Sequence, residues 1–152
     1  MAWLLSYSML YFAPVFGQNS IHMIIGIGAD LAEVARIRAA IERHGERFVQ
    51  RVYTPLEIDY CRSHRNAAER FAVRFAAKEA MMKALGTGWR SGIRWRDIEV
   101  ANARGGKPGL NLTGKALEIY HSLGGTRILL SLTHTDHYAL AQVIIEGEDQ
   151  AK

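Results

Sequence analysis

Glu79 and Lys83 stand four residues apart in a segment that reads as one helix, and they are the first place to look for charge chemistry. The segment, Glu69 to Gly88, runs E-R-F-A-V-R-F-A-A-K-E-A-M-M-K-A-L-G-T-G, with no Pro and no Gly before Gly86. At helical spacing Phe71, Ala72, Phe75, Ala76, Glu79, Met82 and Lys83 share a face. A carboxylate therefore sits inside an apolar stripe, with an ammonium one turn further on. Two explanations compete. Glu before Lys at this spacing is a favourable helix salt bridge, worth roughly 0.2–0.5 kcal/mol on a solvated face. A carboxylate flanked by Phe75, Ala76 and Met82 would instead need a buried partner or a metal.

Asp30 is the second candidate. It closes M-I-I-G-I-G-A-D (23–30), whose alternation predicts a strand with Ile25, Ile27 and Ala29 on one face and Ile24, Gly26, Gly28 and Asp30 on the other. Two positions without side chains beside Asp30 leave room for a close approach to the backbone. With Glu33 three residues on, Asp30 also fits a helix N-cap in a capping box. The G-I-G-A-D-L run lacks the third glycine of a dinucleotide fingerprint, and no βαβ continuation follows it. His134, in S-L-T-H-T (131–135), is in phase with Ile128, Leu130 and Leu132, the pattern of a packed, hydrogen-bonded core histidine.

The elements that must position these residues follow from pattern. A helix from Leu31 to His44, closed by Gly45, buries Val34, Ile37 and Ile41 and carries Arg36, Ala40, Arg43 and Arg47 along another side. Thr54-Pro55-Leu56-Glu57 starts a second helix running to about Ser63, and His64-Arg65-Asn66 links it to the central one. The period then changes to two. Residues 98–101 and 110–112 read as strands across the turn R-G-G-K-P-G (104–109), followed by a helix from Thr113 to Leu123 with Gly124-Gly125 as its stop. Residues 127–133 and 138–146 form a last hairpin. The expected fold is α+β: a mostly antiparallel sheet packed against a long central helix.

Composition is that of a globular domain, 49% apolar and 22% charged over 152 residues. The lone Cys61 allows no intrachain disulfide and fits a reducing compartment. A net charge of +4 suits an anionic ligand, an acidic protein or nucleic acid without choosing among them. Residues 1–22 contain no Lys, Arg, Asp or Glu. Their apolar run, broken by Pro14, is short for a membrane span and lacks the basic start of a secretory signal. We expect these residues to be an extension outside the fold, with an upstream start codon as its simple origin, and 23–152 to be the catalytic domain; an interfacial anchor is disfavoured by the missing charged face.

Taken together, G-I-G-A-D (26–30), F-A-A-K-E-A-M-M-K-A-L-G-T-G (75–88) and S-L-T-H-T (131–135) resemble the holo-acyl-carrier-protein synthases, the small bacterial class of 4′-phosphopantetheinyl transferases. The similarity extends from about Met23 to Glu146 and takes in Thr54-Pro55, Glu57 and Gly106-Lys107-Pro108. It implies that a serine of apo acyl carrier protein attacks the β-phosphate of coenzyme A, taking the 4′-phosphopantetheine arm and releasing adenosine 3′,5′-bisphosphate. It further implies Mg²⁺ on Asp30 and Glu79, Lys83 near the phosphates, and Glu79 or a water as base for the serine. Coenzyme A contacts are implied for Arg74, Gly86, Thr87, Gly88 and His134, and carrier-protein contacts for Arg36, with Arg43 beside it on the same basic edge. Gly86-Thr87-Gly88 reads equally as a helix C-cap, and Arg74 as a solvated arginine. Where relatives often carry Asn-Gly-Lys-Pro, this chain has Gly105-Gly106-Lys107-Pro108. The family is typically homotrimeric with the site between subunits, cytoplasmic, and serves fatty acid biosynthesis.

A physical argument for the metal stands apart from the resemblance. Two carboxylates brought to about 4 Å repel by roughly 4 kcal/mol at an effective dielectric of 20, so convergence demands a cation or a shared proton. The competing functions are a small basic nucleic-acid-binding domain and a metal-dependent pyrophosphate hydrolase acting on coenzyme A. The first leaves the carboxylate of the central helix unexplained.

Overall fold

The computed structural model describes residues 22–88, 91–102 and 106–148. Most of the proposed extension, part of the turn at 104–109 and the last four residues lie outside the described residues. In chain order the elements are β1 (His22–Glu33), α1 (Val34–Val52), α2 (Pro55–Arg62), α3 (Ala67–Ala84), a 3-10 turn (Trp95–Asp97), β2 (Ile98–Asn102), β3 (Pro108–Leu112), α4 (Gly114–Ser122), β4 (Gly125–His134) and β5 (Tyr138–Glu148). The architecture is α+β, as expected. Every strand pairing among the described residues is antiparallel: β1-β5-β4 form one sheet and β2-β3 a second, smaller one.

Helix α3 is the spine. Ala76, Ala77, Ala80, Met81, Met82 and Ala84 are all buried, and α3 lies across β1 and the inward residues of β5, Ala141, Val143 and Ile145. Its approach to β1 is very close. A Cβ added to Gly28 would lie 2.0 Å from the Ala80 carbonyl oxygen, and one on Gly26 would lie 2.3 Å from that of Ala84. The space beside Asp30 is thus filled by the chain's own helix, backbone against backbone.

Three local expectations are corrected. Asp30 does not cap a helix. Residues 30–33 stay in β1, paired with Ala141 through Tyr138 of β5, and α1 begins after Glu33 without a side-chain cap. The ladder outcompetes a local capping box. Gly45, at φ +55, breaks the helical path of α1 but does not end it, because Val49 and Val52 beyond it have a core to enter. A bulge at Ile24–Gly26 takes Ile25 into the core and leaves Ile24, Ile27 and Leu31 at 65, 61 and 60% exposure. Beside them Leu140 is also exposed, so the outer side of β1 and β5 is an open apolar face.

Candidate active site

The glycines of β1 bring α3 so near that side chains on its last turns reach the end of the strand. Lys83 spans the gap: its Nζ lies 2.8 Å from Asp30 Oδ1 and donates to the Ala29 carbonyl at 2.9 Å. Of the two readings of Glu79 and Lys83, the local helix pair is not what forms. Among the described residues Glu79 has no ion-pair partner. It is half-buried at the edge of the apolar stripe, while Lys83 projects beyond it. Burial raises the Glu79 carboxyl above its ordinary value, the nearby Asp30 charge raises it further, and Lys83 offsets part of the rise.

Asp30, Glu79 and Lys83 line one cavity of about 430 Å³ together with Arg36, Phe48 and Phe75. Asp30, Glu79 and Lys83 share it with two further charged residues, Glu33 and Arg36, while Leu31, Ile37, Phe48 and Phe75 supply apolar wall. Phe48 went unnoticed in the sequence because it lies past Gly45, where the helix was expected to stop. Two acids with convergent charge suit Mg²⁺, which takes one or two carboxylates and completes its octahedron with waters and phosphate oxygens. Larger clusters of metal-binding side chains do not occur among the described residues.

The remaining candidates lie elsewhere on the chain. Arg74 is no solvated arginine: it is 4% exposed, with its guanidinium stacked 4.0 Å over the Tyr60 ring. Its Nε has no hydrogen-bond partner among the described residues, and neither has that of Arg70. His134, at the end of β4, is partly buried and sets Nδ1 3.3 Å from Glu69 Oε2, so it meets a carboxylate of α3 and is no purely apolar core histidine. Gly86 and Gly88 have φ of +72 and +52, and the Gly86 and Thr87 amides donate to the Lys83 and Met82 carbonyls. That is the helix stop, a turn of chain past Lys83. Arg43 is exposed on α1 and does not line the cavity.

The model of the 4′-phosphopantetheinyl transferase superfamily matches residues 26–143, which include Asp30, Glu79, Lys83, Arg74 and His134. The chain belongs to that superfamily. Its similarity to individual transferases is high: a holo-[acyl-carrier-protein] synthase of Koribacter versatilis is 55% identical over 124 residues, 82% of this chain and 99% of that one. Among solved structures, the synthase of Neisseria meningitidis matches with a TM-score of 0.74 at 35% identity, covering 81% of this chain and 98% of that one. A synthase from Bacillus anthracis in complex with CoA (3′,5′-ADP) matches with a TM-score of 0.69 at 34% identity, covering 83% and 99%. Within this family of transferases, the matched segment begins at the glycine that admits α3 to β1, and both acids lie inside it.

Proposed function

We propose that the protein transfers the 4′-phosphopantetheine moiety of coenzyme A to a serine of apo acyl carrier protein, in the service of fatty acid biosynthesis in the cytoplasm. The observation that carries this reading is the convergence of Asp30, Glu79 and Lys83 on one cavity in a chain of this superfamily. The serine Oγ forms a bond to the β-phosphorus, and the phosphorus–oxygen bond to the 5′-phosphate of the nucleotide breaks. Adenosine 3′,5′-bisphosphate departs. Glu79, or a water held beside it, takes the serine proton. Lys83 stabilises the charge gathering on the departing diphosphate oxygen. Asp30 and Glu79 are the residues that would hold Mg²⁺, which when bound neutralises the diphosphate.

His134 and the 86–88 loop serve coenzyme A from a position away from the cavity of their own chain, and Arg74, buried against Tyr60, adds positive charge behind them. That separation supports a homotrimer in which one subunit supplies the two acids and its neighbour part of the nucleotide pocket. The exposed apolar face of β1 and β5 offers the surface such an assembly would bury. Exposed Arg36 and Arg43 on α1 give an acidic carrier protein a docking edge.

The test is direct. Purified protein is incubated with coenzyme A, Mg²⁺ and apo carrier protein, and the carrier is weighed by mass spectrometry. A gain of one phosphopantetheine is expected. Consumption of coenzyme A with no gain on the carrier would instead indicate hydrolysis by water.

A further inference from the structure

Lys78, the residue before Glu79, is completely buried. Its ammonium pairs with Glu57 Oε2 at 2.8 Å, donates to the Trp95 carbonyl at 3.1 Å, and donates again to the Ile98 carbonyl. All three protons are therefore used. Glu57 is equally buried and equally satisfied: Oε2 also accepts from the Thr54 amide at 2.9 Å, and Oε1 accepts from the Val100 amide at 3.0 Å. One ion pair thus ties α3 to the start of α2, to the 3-10 turn and to β2.

We infer that Lys78 and Glu57 are positioning residues: their buried pair sets the rotation of α3 about its axis and so aims Glu79 and Lys83 at Asp30. Consecutive helical residues point about 100° apart, so holding Lys78 toward β2 directs Glu79 toward the end of β1. On the opposite side Gly26 and Gly28 meet the backbone at Ala80 and Ala84, which fixes how near the helix lies, and the apolar packing on Ala141, Val143 and Ile145 around them carries no directional bonds. The pair adds a directional reference, with bonds to α2, the 3-10 turn and β2. An apolar pair of similar volume would fill the space but leave two carbonyls and two amides without partners, whereas Lys78→Arg keeps a charge on Glu57, so melting temperature is read beside aim.

The inference concerns the geometry behind the proposed transfer, and its test has a readout that does not need transfer to occur. Two variants are made, Lys78→Met/Glu57→Leu, which replaces the charges by apolar groups, and Lys78→Arg, which keeps a charge but presents a planar fork in place of a tetrahedral ammonium. Melting temperature identifies the folded ones. Reductive methylation followed by mass spectrometry then reports the reactivity of Lys83 relative to Lys115 in the same sample. Lys83 held by Asp30 and the Ala29 carbonyl reacts slowly; in a folded variant with α3 turned it is expected to react several-fold faster. For the reaction itself, kcat should fall roughly tenfold to a hundredfold, as displacement of reacting groups by an ångström does, while KM for the carrier is unchanged. Wild-type protection of Lys83 in a folded variant overturns the inference. Failure of the wild type to modify a carrier would strike the proposed function and leave the Lys83 comparison to decide this question by itself.

Discussion

Lys83 is bound to Asp30 and not to the Glu79 of its own helix, so the α3 ammonium and the β1 carboxylate form one unit across 53 residues of sequence. The pair is partly open to solvent, with the lysine side chain 49% exposed. Such a pair contributes at most about 1 kcal/mol to folding. Lys83→Ala should therefore melt within a few degrees of the wild type yet lower kcat by roughly a hundredfold or more, the usual effect of removing a group that stabilises developing charge. Asp30→Ala and Glu79→Ala are each expected to abolish transfer while circular dichroism remains native. Normal activity in either acid variant would refute their assignment to the metal.

Gly28 is the position where the fold and the site depend on the same atom that is not there. A methyl group placed on it meets the Ala80 carbonyl at 2.0 Å, and neither strand nor helix backbone can move aside without shifting the other. Gly28→Ala should cost about 3 kcal/mol as an overpacked contact. For a chain of this size that is a fall in melting temperature of roughly 10 °C. Activity measured well below the melting point should also fall, because α3 carries Glu79 and Lys83 away from Asp30 as it lifts. A folded Gly28→Ala protein with full activity would show that the close approach serves packing only.

The element order was legible because the hydrophobic period changes where the structure does, and because Thr54-Pro55-Leu56-Glu57 forms the capping box that it spells. Glu79, Lys83 and Asp30 were legible as types. Their meeting was implied by the family resemblance alone; the Lys83–Asp30 bond was not legible, since a four-residue spacing suggests a local pair and says nothing of a strand brought alongside. The glycines before Asp30 announced a close approach without naming the visitor. Asp30 itself looked like a cap because a capping box is a local pattern, whereas the ladder to residues 138–141 is decided by the far end of the chain. Lys78 had no visible signal at all. A lysine among alanines reads as solvent-facing until the acid of another helix is placed over it.

The buried thiol of Cys61 and phenol of Tyr53, packed among α1, α2 and α3, make stability sensitive to alkali. Burial pushes the Cys61 thiol up from 9.0 to about 12, and Arg74 offsets part of the rise. The Tyr53 phenol, donating to the Phe71 carbonyl, is likewise raised, first by burial. Both groups keep protons in the folded state that the unfolded chain releases. The unfolded state thus binds fewer protons from about pH 9 to about pH 12, and stability falls across that window. Lys78, lowered by burial, acts in the opposite sense just below its ordinary value. The melting temperature of Cys61→Ala should decline less steeply with pH than that of the wild type, and the native thiol should not react with a disulfide reagent until the protein unfolds. Prompt labelling of native Cys61 at neutral pH would contradict this account.

Ile27, 61% exposed on the open face of β1 and outside the lining of the cavity, is suited to test whether the site is shared between subunits. A carboxylate there leaves the core of its own chain untouched but would be buried uncompensated in an assembly. Ile27→Asp should keep its secondary structure, shift light-scattering mass from trimer to monomer, and lose transfer with it. A monomer transferring at the full rate would sink the shared-site reading.

Arg36 borders both the cavity and the proposed docking edge of α1. It lines the cavity of Asp30, Glu79 and Lys83, and Arg43 follows two turns later along α1, both side chains open to solvent. A carrier protein presenting an acidic helix would satisfy both guanidiniums while bringing its serine toward the acids. Charges at the edge of an interface act mainly on encounter and register. Arg36→Ala should therefore raise KM for carrier protein about fivefold, equivalent to roughly 1 kcal/mol, with kcat and KM for coenzyme A little changed. Arg43→Ala, farther from the cavity, should do the same more weakly. Because the attraction is screened by salt, the gap between wild type and Arg36→Ala should narrow as ionic strength rises. An equal effect on both substrates would place Arg36 on coenzyme A and leave the carrier to dock elsewhere.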